Sequence, residues 1–270
     1  MPELPEVEVT RLGIRHHVVG NAIQEISIHS PKLRSFVPPD LSDTLAGESV
    51  LALERRGKYL VFSFARGALL LHLGMTGHLR LVNGDRTPGK HDHVDILLSS
   101  GMKLRLNDVR LFGRVHWTAS NPLQHPLLAC IGPEPLTDGF TGAYLFGRTR
   151  RRRVAIQRFI MDAAVVAGVG NIYAAESLFA SGILPTTIAA DLSEAQCHTV
   201  VQKIKEVLAT SIAVGSATMD FCAEEERLAY FPQELNVYDR EGEPCRVCED
   251  IIQRGRLGNR STFFCGRCQK

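Results

Sequence analysis

His93-Val94-Asp95-Ile96-Leu97-Leu98-Ser99-Ser100-Gly101-Met102-Lys103-Leu104-Arg105-Leu106 reads as two short apolar-rich segments joined by a Ser/Gly turn. Segments of this length, bounded by turn formers, are strand signals. Working toward the N-terminus, the same reading takes in His78-Leu79-Arg80-Leu81, Leu69–Leu73, Tyr59–Phe62, Val50–Leu53 and a run begun by Ile23, Ile26 and Ile28. On the other side it adds Val115-His116-Trp117. Eight short segments separated by Gly, Asn, Asp, Ser or Pro predict an antiparallel sandwich or flattened barrel. A helix over about 4–17 should precede it, because Leu4, Val7, Ile14 and Val18 recur at helical spacing behind an acidic, Pro-containing start.

Residues 119–150 change character. Pro122, Pro126, Pro133 and Pro135 interrupt any regular pattern, which reads as an interdomain linker. Helical signals follow over about 151–163, from near Asn171, and from Ser193, where Ser193 and Gln196 have capping-box spacing. Gly168 and Gly170 precede the second of these helices and would let its N-terminal N–H groups approach a phosphate. Residues 236–270 close the chain with Cys245, Cys248, Cys265 and Cys268, a C-x2-C-x16-C-x2-C spacing that suits a tetrahedral structural zinc site on a β-hairpin. Cys130, Cys197 and Cys222 have no partner at metal spacing and read as small buried residues. The expected class is α+β: an N-terminal helix plus antiparallel β-sandwich domain over 1–133, a helical domain over 134–235 and a zinc finger over 236–270.

Composition excludes several classes. With 44% apolar and 22% charged residues, the 270-residue chain has the make-up of a soluble globular protein. It contains no apolar run of membrane-spanning length, and its acidic start does not read as a signal peptide, so the expected location is the cytoplasm. Net charge is only +2, yet Arg148, Arg150, Arg151, Arg152, Arg153 and Arg158 cluster within eleven residues. A second basic cluster, Arg246, Arg254, Arg256, Arg260, Arg267 and Lys270, lies in the terminal segment. Clustered guanidinium groups suit phosphate oxygens, so nucleic acid is the expected partner, although an Arg run is also the mark of a solvated helix face.

The opening, Met1-Pro2-Glu3-Leu4-Pro5-Glu6-Val7-Glu8, supports two readings. Pro and Glu at a first helical turn are a plain helix start. Removal of Met1 would also expose a secondary amine beside a carboxylate. An α-amino group has a pKa of roughly 8 and is partly neutral at physiological pH, so it can attack an aldehydic carbon and form an iminium. Glu3 would then serve as proton donor or acceptor.

Several motifs carry a resemblance: Pro2–Glu8, Gly57-Lys58-Tyr59-Leu60, His72-Leu73-Gly74-Met75, Lys90–Asp95, Asp108-Val109-Arg110-Leu111-Phe112-Gly113, Gly168–Ala174 and the four-cysteine terminus. Over essentially its whole length the sequence resembles the bacterial formamidopyrimidine-DNA glycosylase family, bifunctional repair enzymes for oxidised purines. The resemblance implies a helix–two-turn–helix arrangement in the helical domain, one structural zinc ion, damaged double-stranded DNA as partner and a monomer. It implies Pro2 as nucleophile, Glu3 as the acid that opens the sugar ring, Lys58 in proton transfer during β-elimination, and Arg260 at phosphate and in δ-elimination. Met75, Arg110 and Phe112 match a trio that fills the hole left by a flipped nucleotide. His91, Arg152 and Asn171 match DNA-backbone contacts, and Glu6 a second acidic position near the nucleophile.

Two departures stand out. Leu111 occupies a position where the family often has a second basic residue, and the stretch 216–229, where the family places a glycine-rich loop over the everted base, has no glycine and contains Glu224-Glu225-Glu226. Two other readings fit parts of the sequence: an endonuclease VIII-like glycosylase for oxidised pyrimidines, and a zinc-containing DNA-binding protein without catalysis. Leu4-Pro5 and the Met75, Arg110, Phe112 trio favour the purine enzyme, and mere binding requires none of Pro2, Glu3 and Lys58.

Overall fold

The computed structural model describes residues 1–30, 32–219, 221 and 234–270. The chain divides into two compact units, Met1–Ala129 with Ile212–Phe231, and Cys130–Ser211 with Pro232–Lys270.

In the first unit, α1 (Leu4–Val18) buries Leu4, Val7, Ile14 and Val18, the residues whose spacing predicts it. The eight expected strands all form: β1 (Ile23–Ile28), β2 (Ala52–Arg56), β3 (Tyr59–Phe64), β4 (Gly67–His72), β5 (His78–Asn83), β6 (Asp92–Leu98), β7 (Met102–Asn107) and β8 (Arg114–Thr118). They build two antiparallel four-stranded sheets of order β1-β6-β7-β5 and β2-β3-β4-β8. A short helix, α2 (Leu41–Leu45), lies between β1 and β2 and buries Leu41 and Leu45. The alternating side chains of β7 show how the sheet is used. Leu104 and Leu106 join the apolar core, while Arg105, fully buried, pairs with Asp95 at 2.7 Å and Asp92 at 3.3 Å on β6. Asp95 and Arg105 are direct cross-strand partners, so a one-residue slip would leave both charges buried without each other.

The short helix α3 (Pro126–Ala129) ends the first stretch of the first unit, and the second unit follows with α4 (Gly142–Thr149), α5 (Ile156–Ile160), α6 (Asn171–Ala180) and α7 (Glu194–Thr218), whose last residues belong to the first unit. Its hairpin pairs β9 (Gln253–Leu257) with β10 (Arg260–Phe264).

Three sequence expectations need correction. The linker 119–150 is not irregular throughout: Thr141 caps α4, its hydroxyl accepting from the Tyr144 N–H at 3.0 Å, a start signal hidden behind four prolines. The helix expected over 151–163 shrinks to Ile156–Ile160, because Arg151 takes a left-handed φ of 63° and Ala155 pairs as an extended residue with Ile188. Cys197 is buried as expected, but Cys130 is exposed. Cys222 and the acidic part of the 216–229 stretch lie outside the described residues.

Candidate active site and nucleic-acid interface

Glu3 is the N-cap of α1 and is buried, as are Pro2 and Glu6. Glu3 and Glu6 form a reciprocal capping box in which the Glu3 N–H donates to the Glu6 carboxylate at 2.8 Å. Glu6 therefore holds the backbone that carries Glu3, a positioning task the sequence leaves open. One turn on, the Glu8 carboxylate accepts from Arg11 at 2.6 Å and from Arg55 at 2.9 Å, and Arg55 also donates to the Gly57 carbonyl at 2.9 Å. Burial disfavours the Glu8 anion, but the Arg11 hydrogen bond and the Arg55 charge hold its carboxyl below the usual range. These bonds tie α1 to the two-residue turn between β2 and β3, where Gly57 has a φ of +57° and is followed by Lys58.

The α-amine of Met1 is pushed below its ordinary value, first by burial; Glu3 and Glu6 raise it and Lys58 lowers it. Lys58 thus stands near enough to the N-terminus to act through its charge. It acts on His72 as well, whose pKa is lowered to about 4, mainly by burial and then by Lys58, Arg114 and Arg34. The His72 Nδ1 accepts from the Gly74 N–H at 2.9 Å, which fixes a neutral ring with its hydrogen on Nε2, packed against Tyr59 at 4.7 Å between centroids. The native state resists a proton that the unfolded chain accepts near pH 6.5. His72 therefore contributes stability in full above about pH 6.5 and loses it as pH falls toward 4, an effect of about 3 kcal/mol. The acid limb of a thermal-unfolding profile should accordingly flatten between those values in His72→Gln. An unchanged profile would show that another group carries it.

Met75 is half-buried in the loop between β4 and β5, and Arg110 and Phe112 lie in the loop between β7 and β8. The Arg110 guanidinium sits over the Phe112 ring at 4.9 Å and that of Arg34 at 5.8 Å. These three side chains and His91 share the first unit with Pro2, Glu3 and Lys58.

The other expected DNA contacts are in the second unit. Of the arginine run, Arg148 and Arg150 are engaged within it: Arg150 donates to the Leu192 carbonyl at 2.7 Å and stacks on Phe146 at 4.1 Å, while Arg148 reaches the Ala164 carbonyl at 3.3 Å. Arg151, Arg152, Arg153 and Arg158 are exposed. Asn171 opens α6, directly after its N-cap Gly170; its amide nitrogen donates to the Ser261 carbonyl at 2.8 Å and its oxygen accepts from Gln157 at 2.9 Å. Gln157 in turn accepts from the Thr262 hydroxyl. Buried Gln157 and Thr262 thus lock the hairpin to two helices, a role no sequence pattern announces. Glu176 does the same at the hairpin's entry, accepting from the backbone N–H groups of Asn236, Val237 and Tyr238, each at 2.9 Å. Arg260 is exposed at the hairpin tip, across the tight turn from Leu257.

The sulfur atoms of Cys245, Cys248, Cys265 and Cys268 all lie within 4.8 Å of one another. Cys245 and Cys268 are 3.9 Å apart, Cys248 and Cys265 3.4 Å. A tetrahedral zinc with Zn–S bonds of about 2.3 Å has S–S edges of about 3.8 Å, so the cluster fits that ion. Beneath it, Phe179, Val237, Ile252 and Phe263 form a small apolar core.

Three family models match the chain: the formamidopyrimidine-DNA glycosylase N-terminal domain over residues 1–115, the H2TH domain of the same enzymes over 131–223, and the zinc finger found in FPG and IleRS over 242–270. Together with the fold they define a DNA glycosylase of the helix–two-turn–helix, zinc-finger class. Formamidopyrimidine-DNA glycosylases from Geotalea uraniireducens and Geobacter metallireducens are 52% and 50% identical to it, each over all of both chains. The Lactococcus lactis enzyme bound to DNA containing an AP site superposes with a TM-score of 0.89 at 32% identity, covering both chains fully. MutM in complex with DNA containing carbocyclic 8-oxo-G gives 0.88 at 32%, again covering both chains fully. The chain belongs to the formamidopyrimidine-DNA glycosylase family.

Proposed function

We propose that this chain excises oxidised purines, 8-oxoguanine and formamidopyrimidines, from duplex DNA and then cuts the strand, with the amine of Pro2 as nucleophile. The supporting observation is the buried Pro2-Glu3 pair at the head of α1, held by Glu6, with the Met1 amine one residue ahead within electrostatic reach of Lys58. Once Met1 is removed, the Pro2 nitrogen attacks C1′ of the everted nucleotide and the glycosidic bond breaks with release of the base. Glu3 gives a proton to the ring oxygen, and the sugar opens to a protein-bound iminium. The iminium acidifies C2′; loss of that proton expels the 3′ phosphate, and a second elimination expels the 5′ phosphate. Lys58 carries protons in the first elimination and Arg260 assists the second.

Met75, Arg110 and Phe112 fill the space vacated by the flipped nucleotide, and His91, Arg152 and Asn171 hold phosphates. Since Asn171 is engaged with Ser261 and Gln157, it fixes the hairpin that carries Arg260 as well as offering its place at a helix start. One structural zinc ion binds Cys245, Cys248, Cys265 and Cys268. The nucleophile lies in the catalytic β-sandwich domain over 1–133, a helical DNA-binding domain follows over 134–235, and the zinc finger over 236–270 carries Arg260. The enzyme works as a cytoplasmic monomer; among the described residues, no helix is long and apolar enough to cross a membrane.

Single-turnover cleavage should favour a duplex with 8-oxoguanine opposite cytosine over one with thymine glycol by at least about tenfold. The reverse preference would assign the chain to oxidised pyrimidines.

A further inference from the structure

Asp108 is fully buried, and its side chain bonds both loops that carry the void-filling residues. Its Oδ1 accepts from the Thr76 hydroxyl at 2.6 Å and from the Arg110 N–H at 3.2 Å, and its Oδ2 accepts from the Gly113 N–H at 2.7 Å. The Thr76 oxygen, next in sequence to Met75, accepts in its turn from the Arg110 N–H at 3.1 Å. The Asp108 backbone is pinned as well: its N–H donates to the His91 carbonyl at 2.9 Å, and its carbonyl bonds the His93 Nε2 at 2.8 Å.

The two loops also meet backbone to backbone. A Cβ on Gly74 would lie 2.4 Å from the carbonyl carbon of Phe112, and Gly74 has a φ of +69°. Leu111, between Arg110 and Phe112, holds a left-handed φ of 58°, which an L-residue with a large side chain avoids unless its surroundings impose it.

We propose that Asp108 and Thr76 are positioning residues that lock the Met75 loop and the Arg110–Phe112 loop into one rigid wedge, so that entry of the wedge into the duplex is set by this hydrogen-bonded hub. The inference rests on the reading of Met75, Arg110 and Phe112 as void fillers. A wedge that must unstack base pairs gains from being pre-formed, because a loose loop would have to be ordered during insertion.

Thr76→Val removes the hydroxyl at nearly constant volume and leaves a buried carboxylate oxygen short of a donor; Thr76→Ser keeps the hydroxyl. The test compares these with Phe112→Ala and with Thr76→Val/Phe112→Ala. It uses a duplex with 2-aminopurine opposite an abasic-site analogue, whose fluorescence reports insertion, and single-turnover excision of 8-oxoguanine. Thr76→Val should lower both the insertion rate and excision by about tenfold, Thr76→Ser should restore both, and the double variant should be no worse than Phe112→Ala. Full activity of Thr76→Val, or additive effects in the double variant, would overturn the hub while Phe112→Ala still showed a defect. An Phe112→Ala enzyme normal in both readouts would overturn the void-filling reading and the hub with it. Asp108→Asn, which places an amide against the Gly113 N–H or the Thr76 hydroxyl, should reproduce the Thr76→Val defect if it folds, as judged by thermal unfolding.

Discussion

Cys265→Ser is expected to lose zinc and DNA affinity together. A two-stranded hairpin is marginal on its own in water, and the apolar cluster beneath β9 and β10 is small. A structural zinc contributes on the order of 10 kcal/mol to the folding of such a module, more than that cluster can replace. Without the metal, β10 should lose its register. Ser261 and Thr262 then leave Asn171 and Gln157, and Arg260 loses its fixed place at the tip. Zinc per chain, measured by elemental mass spectrometry, should fall from one to near zero. Affinity for a duplex with an abasic analogue should fall by at least about tenfold, since several phosphate contacts go at once. Cooperative unfolding of the β-sheet unit should persist, because its core is separate. Normal DNA binding by a zinc-free chain would show that the hairpin does not grip DNA.

The second large effect concerns the opening residues. With Met1 retained, the Pro2 nitrogen is an amide and cannot attack C1′, so excision and strand cleavage should both fall by at least about a thousandfold. Glu3→Gln should behave differently. The glutamine oxygen can still accept a backbone hydrogen bond at the N-cap, so α1 should form, but the proton for the ring oxygen is gone. General acid catalysis contributes roughly a hundred- to ten-thousandfold, and ring opening should slow by that order while DNA binding persists. A Glu3→Gln enzyme of unchanged rate would remove Glu3 from the mechanism and leave it as a helix cap.

Much of this arrangement is legible in the sequence, for physical reasons. The strands repeat apolar residues at short range and stop at turn formers, and α1 repeats them at helical spacing, so local pattern and final packing agree. The four cysteines are legible because a tetrahedral metal site imposes its own spacing. Helix α4 is hidden because prolines dominate its neighbourhood while its start rests on one threonine hydroxyl. The shortened α5 reverses a propensity argument: an arginine run suits a helix, but the Ala155–Ile188 pairing and the left-handed Arg151 hold it extended. Gln157, Glu176 and Asp108 are illegible for a different reason. Each is a single buried polar residue whose partners are distant in sequence or sit on loops, and no periodicity marks a partner set by tertiary structure. His72 likewise needs the fold before its neutral state can be seen.

The amine of Pro2 is expected to form a covalent iminium with DNA. Borohydride trapping on a duplex with an abasic site tests it most directly, read by intact-mass analysis of both enzyme and adduct. The expected result is one adduct per chain on protein lacking Met1, with the DNA mapped to residue 2, and no adduct on protein that retains Met1. An adduct mapped to Lys58 or another lysine, or no adduct on correctly processed protein, would rule out Pro2 as the nucleophile.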